Sequence, residues 1–472
     1  MVEMIHAERR SEEARRREQS AIRTSVLPVL LLVLGSVVLF GCGGPSVTMN
    51  QDPAAFEEEE SRLEKRLSDN PDDGKALRDL GSIYLRTDRP SEAYDALKKA
   101  YSKRPDDPKV LFYLGMASEK VGRSQAALKL FGKYGEVPED SKYHTLMEGR
   151  YQWLSRKQAE EQAQELVAQE KKRPEEVGTD VSPNVVAVVP MQYQGGDEKY
   201  EALGRGLAEM FTTDLANVER LKVVERVRLQ ALLDELKLAQ SEYVDQSTAP
   251  RVGRLLGAGR LVGGSYLVSG EEVRLQVTLA DVATGERMPQ LKDQRAGLDN
   301  LFDLQTRVTF SIVDQLDVEL TPQERAAIEE VPTQSIQAFL AYSRGLMEED
   351  RGNYGAAARQ YQRASQIDPN FQQANQQQKK ARSVQTGGGS QSKALSSAVQ
   401  GEGGQPSGQQ SASIDPTQQV LQSVGPTPNT TPGDGSGGGG EQRDPAQETE
   451  NAEEDGSLPG PPSTPPSPEA QQ

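Results

Sequence analysis

Few residues in this chain could carry chemistry. There is one cysteine, Cys42, and there are two histidines, His6 and His144. One thiol cannot form a disulfide within the chain, and one Cys with two His cannot complete a four-ligand zinc site. The glycines of "GAGRLVGG", Gly257–Gly264, look superficially like a phosphate loop. However, Val262 stands where a dinucleotide fingerprint needs its third glycine, and the motif precedes a strand pattern instead of following one. Asp281 and Glu286 flank a short turn, "DVATGE", where a turn-capping aspartate is a simpler reading than an acid–base pair. The expectation is a chain with no catalytic residues, no cofactor and no metal.

Cys42 has a different context. An arginine-rich stretch over residues 1–25 leads into the apolar run "VLPVLLLVLGSVVLF", Val26–Phe40, which ends in "LFGC", Leu39–Cys42. A positive segment, a short apolar core and a small residue before the cut form the layout of an export signal. The ending resembles the lipobox of bacterial lipoproteins, with Phe40 departing from the usual small residue. The resemblance implies lipidation at Cys42, a signal over residues 1–42 and a linker over 43–55. No acidic residue follows Cys42 directly, so the expected location is the periplasmic side of the outer membrane. The alternative is an uncleaved single transmembrane anchor. A span needs about 20 apolar residues, and this run is shorter and holds Pro28.

The 472 residues suffice for two or three domains, yet only 35% are hydrophobic. Small folded pieces joined by polar chain fit that composition better than one large core. A formal net charge of −17, with basic residues scattered among acids, argues against a nucleic-acid partner, because such a chain repels phosphate.

The elements behind these motifs fall into distinct segments. Over residues 56–140 the chain resembles tetratricopeptide repeats. Leu80, Gly81, Tyr84, Ala93, Ala100 and Pro105 fall at the signature places of one unit. Gly115, Ala127 and Phe131 recur at the same offsets in the next, with Pro138 shifted by one. The small residues let paired helices approach, and the proline ends the second helix. Such repeats imply a groove, formed by the first helices, that receives a protein segment. A charged helix over 141–180 reads as a connector. Ala357, Tyr361, Ala364 and Pro369 mark a further repeat-like unit over 334–380. A lone unit cannot bury both faces, so it must dock on a neighbour.

Between these lies an α/β segment, 181–320. The continuous apolar run Asn184–Tyr193 fits a central strand buried on both faces. Val273, Leu275, Val277 and Leu279 alternate with polar residues, as in a half-buried strand. "VVER", "LLDEL", "LLGAGRLVGGSY" (Leu255–Tyr266) and "DVATGE" resemble the CsgG family of curli-secretion channel lipoproteins and the related TolB N-terminal domain. The resemblance implies a mixed-sheet periplasmic domain that packs side by side in homo-oligomers. Pore-forming hairpins would have to enter at "QGGDE" (Gln194–Glu198) or "SGEE", where there is no room for strands of about 9–11 residues. From Ser383 to residue 472 the chain turns rich in Gly, Ser, Gln and Pro and reads as a disordered tail.

The fold class expected is therefore multidomain: all-α tetratricopeptide hairpins plus an α/β mixed-sheet domain. The function expected is a non-enzymatic envelope scaffold that binds protein partners, with the membrane reached through the N-terminus. The alternative is an accessory or structural component of a CsgG-type secretion channel. A hydrolase of envelope polymers finds almost no support in these residues.

Overall fold

The computed structural model describes residues 53–400, apart from 175–176, 179–180, 239–242, 244–247, 287, 289–290 and 292–293. Cys42, the apolar run before it and the chain beyond Gln400 lie outside the described residues. The chain divides into two units, Met1–Glu59 and Glu60–Gln472. Of the first, only the opening of helix α1 (Pro53–Asp69) is described.

Two helical hairpins come first, α2 (Gly74–Arg86) with α3 (Pro90–Lys103), then α4 (Pro108–Lys120) with α5 (Ser124–Phe131). Their starts are written locally. Asp73 accepts from Lys75 N and Ala76 N, Asp107 accepts from Lys109 N, and Pro90 and Pro108 occupy first-turn positions where a missing N–H is harmless. In each hairpin a glycine touches a large side chain sixteen residues on: Gly81 meets Leu97 and Gly115 meets Phe131. A Cβ at either glycine would overlap that side chain. A short 3-10 turn (Gly132–Glu136) then leads to α6, Lys142–Lys172. Its first turns continue the stack, with Tyr143 against Phe112 at 5.7 Å between ring centroids.

The sheet has the order β3-β1-β4-β5-β6, with β2 pairing β4. The strands are β1 (Ser182–Val188), β2 (Gln192–Tyr193), β3 (Lys222–Val223), β4 (Ala258–Ser269), β5 (Glu272–Asp281) and β6 (Gln294–Gly297). β1 runs parallel to β3 and β4, while β4, β5 and β6 are antiparallel in turn. Its helices are α7 (Leu203–Ala216), α8 (Arg226–Leu236), α9 (Ala249–Leu256), α10 (Leu301–Gln315) and α11 (Pro322–Glu329). Both faces are covered. Val186, Val188, Val273, Leu275, Val277 and Leu279 enter a core with α7 and α10. Ala187, Val189, Leu261 and Ala280 enter another with α8, α9 and the far half of α6. Each fully buried aliphatic chain contributes on the order of 1.5–3 kcal/mol.

Within "RLKVVER" the strand covers only Lys222 and Val223, because Arg226 already opens α8. One expectation is corrected. The expected loss of structure from Ser383 does not occur there. After the hairpin α12 (Ile336–Asp350) and α13 (Tyr354–Ile367), helices α14 (Gln372–Gly387) and α15 (Gln391–Val399) continue the fold. The glycine-rich "TGGGS" is a helix junction.

The C-terminal hairpin repeats the earlier construction, with Gly345 against Tyr361, again sixteen residues on. It docks on both neighbours. Its Phe339 reaches Phe302 of α10 at 5.3 Å, Gly206 of α7 touches Phe339 and Ser343, and α14 lies along α6. The α6 helix, read as a connector, is thus a spine shared by the repeats, the sheet domain and the C-terminal helices.

Candidate functional site

The repeat signature residues serve packing. Leu80, Tyr84, Ala93, Ala100, Ala127, Phe131, Ala357, Tyr361 and Ala364 are buried. Pro105 and Pro369 stand exposed in the turns after α3 and α13. The other chemistry-bearing motifs are structural too. His144 Nδ1 donates to the Val137 carbonyl oxygen, 2.9 Å away, and the ring meets Tyr134 edge-on. Asp281 accepts from Ala283 N and Thr284 N and pairs with Arg260 at 2.7 Å, so it caps the turn. In the glycine run, Gly257 ends α9 in the left-handed region, and a Cβ at Gly259 would overlap the Ser182 carbonyl.

Where the modules meet, a groove of about 980 Å³ opens between α5, α6, α7, α8 and the C-terminal helices. Its floor is a charged cluster drawn from four segments distant in sequence. Arg226, first residue of α8, pairs with Asp350, with Glu349 at 2.9 Å and with Glu209 at 3.4 Å. Arg205 holds Asp350 at 2.9 Å. Arg156 of α6 donates to the carbonyls of Glu349 and Asp350, both at 2.8 Å, capping the C-terminus of α12 where the helix dipole favours a cation. Tyr361 donates to Glu349 at 2.6 Å.

Two guanidinium groups, those of Arg226 and Arg205, therefore meet three carboxylates, and that of Arg156 meets the backbone carbonyls beside them. Burial works against charge on Arg226, yet Glu349, Asp350 and Glu209 hold its pKa well above the usual value. Glu349 is pushed up by burial but pulled further down by Arg226, Lys380 and the Tyr361 hydrogen bond. Glu209, facing Arg226 only at the longer distance, is left raised by burial. Its Oε2 is buried without a hydrogen-bond partner. Glu349 and Asp350 are consumed in ion pairs, which makes them poor general bases, whereas Glu209 keeps one carboxylate oxygen without a hydrogen bond. The arrangement can lock domains together and present a trough of mixed polar and apolar surface with Tyr151, Lys133 and Arg228 on its walls.

Sequence reasoning missed this cluster, although Arg226 sits in the quoted "VVER". Nothing in the spacing told that it would meet the acidic end of "GLMEED". Among the described residues no group of three or more His, Cys, Asp or Glu is placed to hold a metal ion. No helix among them is long and apolar enough to cross a membrane.

Residues 183–275 match the family model described as "Curli production assembly/transport component CsgG". A protein of Rhizobium meliloti (strain 1021) named "Putative adenylate cyclase 3" is 25% identical over 196 residues. That match takes in 40% of this chain, and the chain spans 31% of that protein, under a third of its length. Solved structures with similarity include the LpoB C-terminal domain from Salmonella enterica, at 22% identity and TM-score 0.20 over 28% of this chain and 94% of that one. A tetratricopeptide repeat protein from Parabacteroides merdae ATCC 43184 is 13% identical at TM-score 0.19, covering 70% of this chain and 93% of that one. Yeast Tom70 is 14% identical at TM-score 0.21, covering 67% and 59%. The chain therefore carries a CsgG-like domain over residues 183–275, set among helical hairpins in which a glycine meets a large side chain sixteen residues on.

Proposed function

We propose that this protein is a non-enzymatic scaffold of the bacterial envelope, lipid-anchored at Cys42 on the periplasmic side of the outer membrane. The observation that carries the reading is the groove between repeats and sheet domain, whose floor is held by a network of ion pairs and whose lining mixes polar and apolar surface. Such a trough suits a protein segment, bound by hydrogen bonds and rim charges, better than a reaction. The partner docks there, and the CsgG-like domain mediates assembly.

A second reading is an accessory component of a CsgG-type secretion channel, and the family description matching 183–275 favours it. Crosslinking of the full chain in envelope extract, followed by mass spectrometry, separates the two. Secretion machinery among the crosslinked proteins supports the second reading. A partner lost on Lys133→Glu with Arg228→Glu, while the chain still melts at its normal temperature, supports the first. Retention of the same partner by that variant rules out the groove. Mass spectrometry of the mature N-terminus should find an acylated Cys42; an N-terminus still bearing residues 1–41 rules out the anchor.

A further inference from the structure

By direct contact, the ion-pair network on the groove floor is one cation short. Arg226 and Arg205 are the guanidinium groups that touch Glu349, Asp350 and Glu209. Glu349 has Arg226 at 2.9 Å, and Asp350 has Arg205 at 2.9 Å. Glu209 of α7 takes the leftover place. Its Oε2 stands 3.4 Å from Arg226 Nε, and that oxygen is buried without a hydrogen-bond partner.

A second acceptor on the same groove is in the same condition. Gln377 of α14 hydrogen-bonds the Tyr342 hydroxyl, and its Oε1 is buried without a partner. Glu209 and Gln377 both line the groove, and both act on Tyr342 of α12, Glu209 through its charge. Leaving a buried acceptor unsatisfied is costly, and more so for a charged one. Carboxylate and amide each turn about a soft terminal torsion, so their oxygens can be swung toward the groove. The Glu209 side chain already keeps 20% exposure.

The group that both acceptors lack is a donor, and beside Glu209 a cationic one. The chain has one rival for the place. Lys380, one turn along α14 from Gln377, lines the groove and acts through its charge on Glu209 and Glu349. Among the described residues it forms no ion pair with either. Two acceptors on separate helices suit a compact ammonium with three rotatable donors better than a planar guanidinium fork.

We propose that the groove floor between Glu209 and Gln377 is an anchor pocket for a lysine side chain of the bound protein segment, its ammonium donating to Glu209 Oε2 and Gln377 Oε1. This rests on the reading of the groove as a docking site for a protein segment, and it names a residue that the segment must carry. Leu128, Ala159 and Ala231 in the lining give apolar surface against which a lysine stem can lie. Lys133 and Arg228 on the walls meet other parts of the segment, so the anchor is tested apart from them.

The probes are short fluorescent peptides of glycine and serine with lysine, acetyl-lysine or glutamine at the centre, titrated against the full chain. The lysine peptide should bind about tenfold more tightly than either neutral one, the scale of one hydrogen bond to a charged group. Glu209→Gln should erase that preference and leave the neutral peptides unaffected. Lys380→Met should strengthen lysine binding several-fold, because a competing cation is gone. If Glu209→Gln does not melt at the normal temperature, Gln377→Met, which removes the second acceptor, should weaken the preference instead. Equal binding of the three peptides, or none at millimolar concentration, overturns the proposal and leaves both acceptors to water. The loss of a partner on Lys133→Glu with Arg228→Glu would still stand, so the docking reading fails or survives separately. A lysine preference that persists in both Glu209→Gln and Gln377→Met overturns the proposal too, since acids on the rim would then be its cause. Lysine binding seen only with Lys380→Met assigns the place to Lys380 and overturns it as well.

Discussion

Gly149 of α6 lies against the carbonyl oxygen of Ser383 in α14, so close that a Cβ at residue 149 would overlap that oxygen. Gly387 makes the reciprocal approach to the Leu146 carbonyl. Two helices separated by more than two hundred residues thus cross backbone to backbone. Gly149→Ala should force them apart and cost about 1–3 kcal/mol, the usual range for overpacking. Urea unfolding of the two chains measures it. An unchanged midpoint would mean the helices give way freely, and the spine would not be tightly packed.

That crossing shows where the sequence was legible and where it was not. Repeat glycines announced themselves because Gly81 and Gly115 recur in register with their partners Leu97 and Phe131. The sheet strands were readable from period and apolar runs, as at Val273–Leu279. Gly149 sits in a charged helix and Gly387 in a glycine-rich stretch, and neither local pattern encodes the other. The Arg226 cluster was hidden for the same reason. Its members come from α6, α7, α8 and α12, and only the tertiary fold brings them together.

Arg226 is the centre of that cluster, so Arg226→Met leaves Glu349, Asp350 and Glu209 facing one another. Removing one partner of a buried pair costs about 3–5 kcal/mol. The Arg226 side chain keeps 27% exposure, so about 2–4 kcal/mol is expected here. Arg226→Lys should recover little, because one ammonium cannot reach three carboxylates as a planar fork does. Denaturant melts of the three proteins give the comparison. A lysine variant as stable as the native chain would reduce the cluster to simple charge balance.

Asp214 should make stability depend on pH. It is 7% exposed, and its carboxylate accepts from Gln305 at 2.6 Å and Thr309 at 3.0 Å, both neutral. Burial raises its pKa from 3.8 to about 6, against the lowering effect of those two hydrogen bonds. The folded state therefore holds this proton more tightly than the unfolded chain. Ionising Asp214 weakens the fold, and the loss grows as pH rises from about 4 to about 6 and is complete above that. At about 1.4 kcal/mol per unit, the effect is on the order of 3 kcal/mol. Asp214→Asn keeps an acceptor for both neighbours and removes the charge. Its stability relative to the native chain should be higher at pH 7 and should converge with it near pH 4. Parallel curves across that range would show that Asp214 is not the titrating group.

Self-association is the remaining expectation that the fold can sharpen. The CsgG-like domain ends in short edges, two residues in β3 and four in β6. Edges of that length offer few ladder hydrogen bonds to a neighbouring copy. A ring, which needs a head-to-tail interface that closes, would have to be built on helix faces. The two turns where pore strands would enter remain short: Gln194–Asp197 runs straight into a 3-10 turn at Glu198–Tyr200, and Ser269 pairs with Glu272 across a tight hairpin. Strands of about 9–11 residues cannot start from either. We predict that residues 43–472 associate in light scattering without conducting ions across a planar bilayer. A monomer at every concentration removes the assembly role from the scaffold reading. Conductance would instead refute the absence of a pore and favour the secretion reading, because the pore strands would then have to come from elsewhere in this chain.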